Sequence, residues 1–150
     1  MIPVSIALFI RNVTNEGLEL WMQVRREEGP LDGLLEFPGG KIESGESSVV
    51  ACQREVLEEV GVDVELSKLK LFKIHQHNFN DRSVLLNVFM SNYSDLPEDI
   101  GQWFSFDFVE KSKKYEGRLP EVNYLLIDQL LSYVERQYKA GCLEQVWLKS

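Results

Sequence analysis

Three observations predict an α/β or α+β domain. Short runs of alternating apolar residues recur along the chain, as strands require. Two longer stretches, residues 47–60 and 119–140, carry apolar side chains at helical spacing. Glycine, proline and asparagine punctuate the runs at the intervals expected of turns. At 150 residues the chain is long enough to bury one proper core, so residues 1–150 read as a single domain. The pattern alone does not choose a topology.

Residues 4–11 and 18–25 read as strands paired around the Asn15-Glu16-Gly17 turn. Residues 27–33 form a polar loop with Gly and Pro, and residues 34–37 a short strand. Phe37-Pro38 then leads to Gly39-Gly40, a loop into the first helix. Glycines there let backbone approach a ligand closely, or simply make a turn. Ser44 and Ser47 are N-cap residue types and Gly61 is a natural stop, so residues 47–60 form a helix. Residues 62–77 read as one bent strand or two, 78–81 as a turn, and 84–91 as the returning strand. A loop at 94–100 and a strand at 103–106 follow. The second helix spans 119–140, with Val122, Leu125, Leu126, Leu130, Tyr133 and Val134 on its apolar stripe, and Gly141 stops it. Internal repeats and low-complexity segments are absent.

Composition narrows the function classes. No apolar run approaches the ~20 residues of a membrane span. Residues 2–10 lack a basic leader and read as a strand rather than a signal peptide. Cys52 and Cys142 have no zinc-type spacing, which fits a reducing cytoplasm. His75 and His77 alternate and share one strand face, with no third metal ligand evident. The net charge is −8, so an anionic partner needs bound cations or local Arg and Lys.

The first helix carries the chemistry. With Glu55 set at zero, Glu59 lies at about 40° and Glu58 at about 300°, so three carboxylates share a face. Ala51, at about 320°, leaves room in front of them. Val49, Val50, Val56, Leu57 and Val60 make an apolar stripe opposite, expected to anchor the helix on a core. Like charges at this spacing destabilise a helix by a few tenths of a kcal/mol. A solvated face chosen only for solubility does better with Lys opposite Glu. Hard carboxylate oxygens suit Mg²⁺ or Mn²⁺ bound together with phosphate.

Gly40, Glu46, Arg54, Glu55, Val56, Glu58, Glu59, Gly61 and Val62 follow G-x5-E-x7-R-E-U-x-E-E-x-G-U, with U aliphatic. This resembles the Nudix box without departure. At roughly 6% usage per residue type, its seven fixed matches arise by chance at about 10⁻⁸ to 10⁻⁹ per window. The run from Leu35 to Glu46, the N-F-N-D-R turn ending at Arg82, G-Q-W-F-S from Gly101 and L-P-E-V-N ending at Asn123 resemble the MutT-type branch of the family.

The resemblance implies an α/β/α sandwich around a mixed sheet. It also implies a Mg²⁺-dependent pyrophosphohydrolase (Mn²⁺ as the alternative ion) that cleaves a nucleoside triphosphate such as 8-oxo-dGTP to the monophosphate and pyrophosphate. By the same resemblance Gly39, Glu55, Glu58 and Glu59 hold metal, Glu55 acts as base, and Glu46 and Arg54 pair across the loop–helix junction. Arg25, Phe37, Phe79 and Asn123 contact the substrate, with Lys41 either on a phosphate or solvated. Asn123 has a helix-cap alternative, Phe79 a hairpin-core one, and Arg25 a solvated strand-end one. Gln102 stands where relatives carry a carboxylate, which puts the metal count in doubt and brings Glu98 and Asp99 forward as substitutes. The rivals are nucleotide-sugar, dinucleotide and RNA 5′-end hydrolases, and a non-catalytic nucleotide-binding module. No membrane or nucleic-acid partner is expected, and oligomeric state is open.

Overall fold

Ala7, Leu8 and Phe9 are consecutive and all fully buried, which is the signature of a strand covered on both faces. They lie in β1, Ile2–Arg11, of a computed structural model that describes residues 1–26 and 28–148. The chain divides into two units: Met1–Phe9 with Phe37–Leu96, and Ile10–Glu36 with the segment from Pro97 onward.

In the first unit β1 runs parallel to β6, Ser83–Ser91, in register from Ile2 opposite Val84 to Phe9 opposite Ser91. Its other edge pairs antiparallel with β4, Gly39–Lys41, and β6 pairs antiparallel with β5, Lys70–Asn78. The sheet is therefore mixed, as expected. A register shift between Leu71 and Lys73 marks a bulge in β5. The first helix, α1, spans Ser48–Val60. Ser47 caps it by accepting from the Val50 N–H, and Gly61 ends it at φ 81°, a left-handed conformation that glycine adopts without a Cβ penalty.

The second unit pairs the end of β1 with β2, Gly17–Val24, through Ile10 opposite Leu20 and Arg11 opposite Glu19. On the other side β2 pairs antiparallel with β7, Gln102–Asp107, and its end pairs with β3, Leu35–Glu36. The second long helix, α2, Glu121–Lys139, buries Leu126, Ile127, Leu130, Leu131 and Val134. Trp21, Leu20, Met22 and Phe106 are buried in the same unit.

Several expectations need correction. Gly39-Gly40 is not a free loop but part of β4. Residues 62–77 open with a 3-10 turn at Leu66–Lys68, and the strand begins only at Lys70. A further 3-10 turn, Lys111–Tyr115, and a short helix, α3, Leu143–Leu148, carry no long apolar period and were not expected. The stripes of both long helices are rotated. In α1 the buried residues are Ala51, Cys52, Val56 and Val60, while Val50 and Leu57 are exposed. In α2 Leu125 is exposed and Ile127 and Leu131 replace it in the core.

Gly17 generates a prediction. A Cβ there would press on the Phe106 carbonyl oxygen and stand 2.9 Å from Asp107 Cα, both backbone atoms of the paired strand. Backbone cannot swing aside, so Gly17→Ala is expected to cost about 1–3 kcal/mol through overpacking. Urea unfolding measures this; an unchanged midpoint would contradict the strand contact.

Candidate active site

The residues on either side of β4 are tied to β1 by backbone bonds. Ala7 N–H donates to the Pro38 carbonyl at 2.9 Å, and Ile42 N–H donates to the Pro3 carbonyl at 2.9 Å. Ser5 is fully buried, and its hydroxyl donates to the Ser48 carbonyl at 2.7 Å, which fixes where α1 begins. A Cβ on Gly39 would press on the Ser5 carbonyl oxygen and lie 2.8 Å from Ile6 Cα, so only glycine lets β4 approach β1. A Cβ on Gly40 would stand 2.5 and 2.6 Å from the two carboxylate oxygens of Glu55. The missing side chain of Gly40 is the space that the Glu55 carboxylate fills.

Arg54 gathers the acids. Its Nε and Nη2 donate to the two oxygens of Glu46 at 2.7 and 2.9 Å, a bidentate pair across the loop–helix junction. Nη2 also donates to the Lys41 carbonyl at 3.0 Å. Nη1 donates to Glu55 at 2.9 Å and to Glu58 at 3.3 Å, while Glu43 lies 3.8 Å away. The hydrogen bonds from Arg54, and then that from the Glu43 N–H, lower the Glu46 carboxyl to about 2. The Glu46 and Glu55 carboxylates in turn raise the Arg54 guanidinium further above its ordinary value. Glu43 belongs to this cluster although the motif does not mark it.

The three helix acids sit differently from one another. The Glu55 side chain is 15% exposed and Glu58 is 58% exposed, so one is shielded under Gly40 and the other faces solvent. Glu59 accepts from the Gly39 N–H at 3.2 Å, which places it at the same glycine pair. The acids are not opposite the buried stripe: Glu55 and Glu59 stand on the side of α1 that carries Ala51, Cys52 and Val56. Ala51 is fully buried and opens no space before them. Among the described residues, no three acidic, imidazole or thiolate groups form a ready metal cage. The donor set is nevertheless of one chemical kind, carboxylate oxygens beside a glycine backbone with no side chain in the way. That set fits a hard divalent cation such as Mg²⁺, which keeps several waters and needs few protein ligands.

The remaining predicted residues fall in both units. In the first, Lys41 is exposed and its side chain makes no ion pair among the described residues. Phe37 is buried in the core at 6% exposure. Phe79 is not a hairpin core residue: it is exposed, with the His77 ring edge-on at 4.5 Å and Arg82 over it at 5.1 Å. His75 and His77 share a face as expected, their rings 6.3 Å apart. Burial, then Lys73 and His77, lower the His75 imidazole. In the second unit, Arg25 is half-buried and reaches Glu36 at 3.3 Å rather than standing solvated. Asn123 is not a helix cap: Pro120 holds that place, and Asn123 lies inside the first turn, buried, with no side-chain hydrogen bond among the described residues. Gln102 is exposed at the start of β7, opposite Met22.

The depressed Glu46 carboxyl sets a pH dependence. At acid pH the unfolded chain binds this proton first, so the pair's stabilisation is full above the ordinary value of 4.5 and is lost as pH falls towards about 2. Glu46→Gln is therefore expected to be less stable than the parent at pH 7. The gap should close progressively below pH ~4.5. Thermal melting of both proteins from pH 7 to 2.5 measures it; a gap constant with pH would remove the ion pair as its cause.

The NUDIX domain family model matches residues 1–130. The 8-oxo-dGTP diphosphatase of Haemophilus influenzae is 30% identical over 125 residues, 80% of this chain and 87% of the relative. That of Escherichia coli is 38% identical over 74 residues, 49% of this chain and 56% of the relative, so the match spans little more than half of that protein's length. Among solved structures, the solution structure of the E. coli ORF135 protein has a TM-score of 0.62 at 22% identity, covering 85% of this chain and 86% of that one. MutT from Aliivibrio salmonicida and Vibrio cholerae, solved in a structure and function analysis, gives 0.61 at 22% identity, covering 88% and 98%. These likenesses agree on the fold, with the mixed sheet and few helices described above. The box residues run from β4 through the loop into α1, and the family model covers residues 1–130: the chain belongs to the Nudix family.

Proposed function

We propose that this protein is a Mg²⁺-dependent pyrophosphohydrolase that cleaves a purine nucleoside triphosphate, such as 8-oxo-dGTP, to the monophosphate and pyrophosphate. The observation that carries the reading is the Arg54 cluster, in which one guanidinium holds the loop acid Glu46 and the helix acids Glu55 and Glu58. The likeness to relatives named 8-oxo-dGTP diphosphatase supports the substrate class. The family match over residues 1–130 supports reading the chain as one catalytic domain. Among the described residues no helix is long and apolar enough to cross a membrane. A cytoplasmic location accords with the nucleotide substrate.

Glu55, Glu58 and Glu59, with the Gly39 carbonyl, would hold the metal, whose bound form neutralises phosphate charge and acidifies water. The chain's own groups do the rest. Glu55, shielded under Gly40 and oriented by Arg54, is placed to accept a proton from the attacking water. Arg54 fixes that carboxylate so that it cannot wander into solvent, and Glu46 fixes Arg54. Lys41, exposed on the same strand as Gly39 and Gly40, is free to meet a phosphate oxygen. Asn123 offers an unused amide, both donor and acceptor, to a purine edge. Arg25, Phe37 and Phe79 complete the proposed substrate contacts.

Glu55→Gln and Glu58→Gln should each lower kcat by roughly 10²–10⁴-fold with the fold intact. Gly40→Ala should do the same without removing any carboxylate, because its methyl group displaces the Glu55 head. Pyrophosphate release at saturating Mg²⁺, with circular dichroism on each variant, measures both. Near-parental kcat in all three folded variants would sink the assignment, and tight nucleotide binding without turnover by the parent would favour a binding module.

Asn123→Ala should erode the preference between dGTP and 8-oxo-dGTP more than it slows hydrolysis. A base edge left with an unpaired polar group costs about 1–3 kcal/mol. The ratio of kcat/KM values for the two substrates is the readout. An unchanged ratio would take Asn123 out of base recognition.

A further inference from the structure

The His75–His77 pair has no part in the loop–helix site. Both imidazoles stand on one face of β5, in register with Leu86 and Val84 of β6. Their rings stack 6.3 Å apart at an interplanar angle of 29°. A metal about 2.0–2.1 Å from a ring nitrogen lies about 3.2 Å from the ring centroid, so the observed separation is just inside the widest span that one ion bridges. Both residues are half-buried, so part of each ring meets solvent. His77 is steadied by Phe79, edge-on at 4.5 Å, and Phe79 in turn by Arg82. Two imidazoles make only half of a tetrahedral set, and among the described residues no third acidic, imidazole or thiolate group joins them.

The strand that carries the pair also ends a sheet. Among the described residues β5 pairs with β6 alone, and its other edge is open. An open edge is a template for another strand unless lysine, proline or a bulge blunts it. Lys70, Lys73 and the bulge between Leu71 and Lys73 blunt the first part of β5. From Ile74 to Asn78 there is no lysine, proline or bulge, and Ile74 is 54% exposed. The unprotected part of the edge is therefore the part that holds both imidazoles. The Gln76 side chain alternates to the other face, where its amide donates to Asn78 Oδ1 at 3.0 Å.

A second copy of this chain completes both the edge and the ligand set. Antiparallel pairing about a two-fold axis through Gln76 puts His75 of each copy opposite His77 of the other. Directly opposite residues have Cβ atoms ~4.5–5.5 Å apart on one face, so four imidazoles converge above the axis. Imidazole suits transition ions such as Zn²⁺ and not hard Mg²⁺, so this set is chemically distinct from the carboxylates of α1. Charge makes the ion necessary. Two copies of net charge −8 repel, but β5 carries no acid, and a divalent ion on the axis adds attraction where that repulsion is least. We propose that the β5 edge binds a second copy of this chain through a divalent transition-metal ion held by His75 and His77 of both copies. The site does not rest on the hydrolytic reading.

The test is sedimentation of the metal-free full chain as Zn²⁺ is added in steps, with excess Mg²⁺ present to occupy the α1 carboxylates. The chain should be monomeric without Zn²⁺ and dimeric with it, saturating at about one ion per two chains. His75→Ala and His77→Ala should each abolish the Zn²⁺-dependent dimer. Gln76→Lys should weaken it with every imidazole kept, because two ammonium groups then face each other across the axis. Gln76 is exposed, and melting curves check that each variant folds. No Zn²⁺-dependent dimer of the parent would overturn the proposal, and so would one ion bound per chain without association. A dimer equally present in metal-free buffer would also overturn it. So would a Zn²⁺-dependent dimer indifferent to both histidine substitutions, or a Gln76→Lys protein that dimerises like the parent.

Discussion

A guanidinium with five donors in a plane can serve several carboxylates at once, and Arg54 does so. Two of its nitrogens take Glu46 and a third reaches Glu55 and Glu58. Without it, four acids of one short segment would repel one another across a few ångströms. With it, the loop and the helix are one ionic unit, and the acids are held at defined places. A lysine would not replace it, because a single ammonium cannot present a fork to Glu46 and still donate sideways to Glu55. The positions of Glu46, Glu55 and Glu58 follow from that one planar group, while Glu59 is held by the Gly39 N–H.

The glycines do the complementary work of removing atoms. Gly39 lets β4 lie against β1, and Gly40 leaves the volume that the Glu55 carboxylate occupies. Attraction from Arg54 and space at Gly40 point Glu55 the same way. The Ser5 hydroxyl on the Ser48 carbonyl then sets where the helix starts, so that the helix carrying the carboxylates is anchored on a strand already buried in the sheet. The site is precise because β4 and α1 carry most of it and Arg54 ties the loop acid Glu46 to the helix.

Much of this was legible in the sequence because the relevant signals are local. Ser47 and Gly61 delimit α1 by local backbone chemistry, and the Glu46–Arg54 pair across the loop–helix junction was implied by the family resemblance. The mixed sheet was implied by the family resemblance and not by the apolar pattern, which does not choose a topology. Helix rotation was not legible. Val50 and Leu57 are as apolar as Val56 and Val60, and only the covering sheet decides which pair is buried. The unexpected 3-10 turns and α3 are too short to establish a period. Asn123 looked like a cap by residue type, but Pro120 has the φ of −58° that opens the helix, and Asn123 falls three residues inside. A cavity lined by Arg26, Glu98 and Arg118 joins residues nearly a hundred positions apart, which no spacing rule connects.

Charge ties these levels together. A chain of net charge −8 repels any phosphate at long range, yet its acids are not spread evenly in their effect. Those of α1 are drawn onto Arg54 and the Gly39 N–H, so their field is partly cancelled where they stand. Lys41 makes no ion pair among the described residues, and neither do Lys111, Lys113 and Arg118 in the second unit, whereas the Lys114 ammonium already donates to the Ser105 carbonyl and hydroxyl. An exposed cation with no protein partner keeps its full capacity for an anion from solution. In an acidic protein the positions of such cations are therefore a better guide to where phosphate binds than the total charge is. By that criterion Lys41, exposed beside the loop–helix acids, is a place where an anion's charge can be met locally, against the sign of the molecule as a whole.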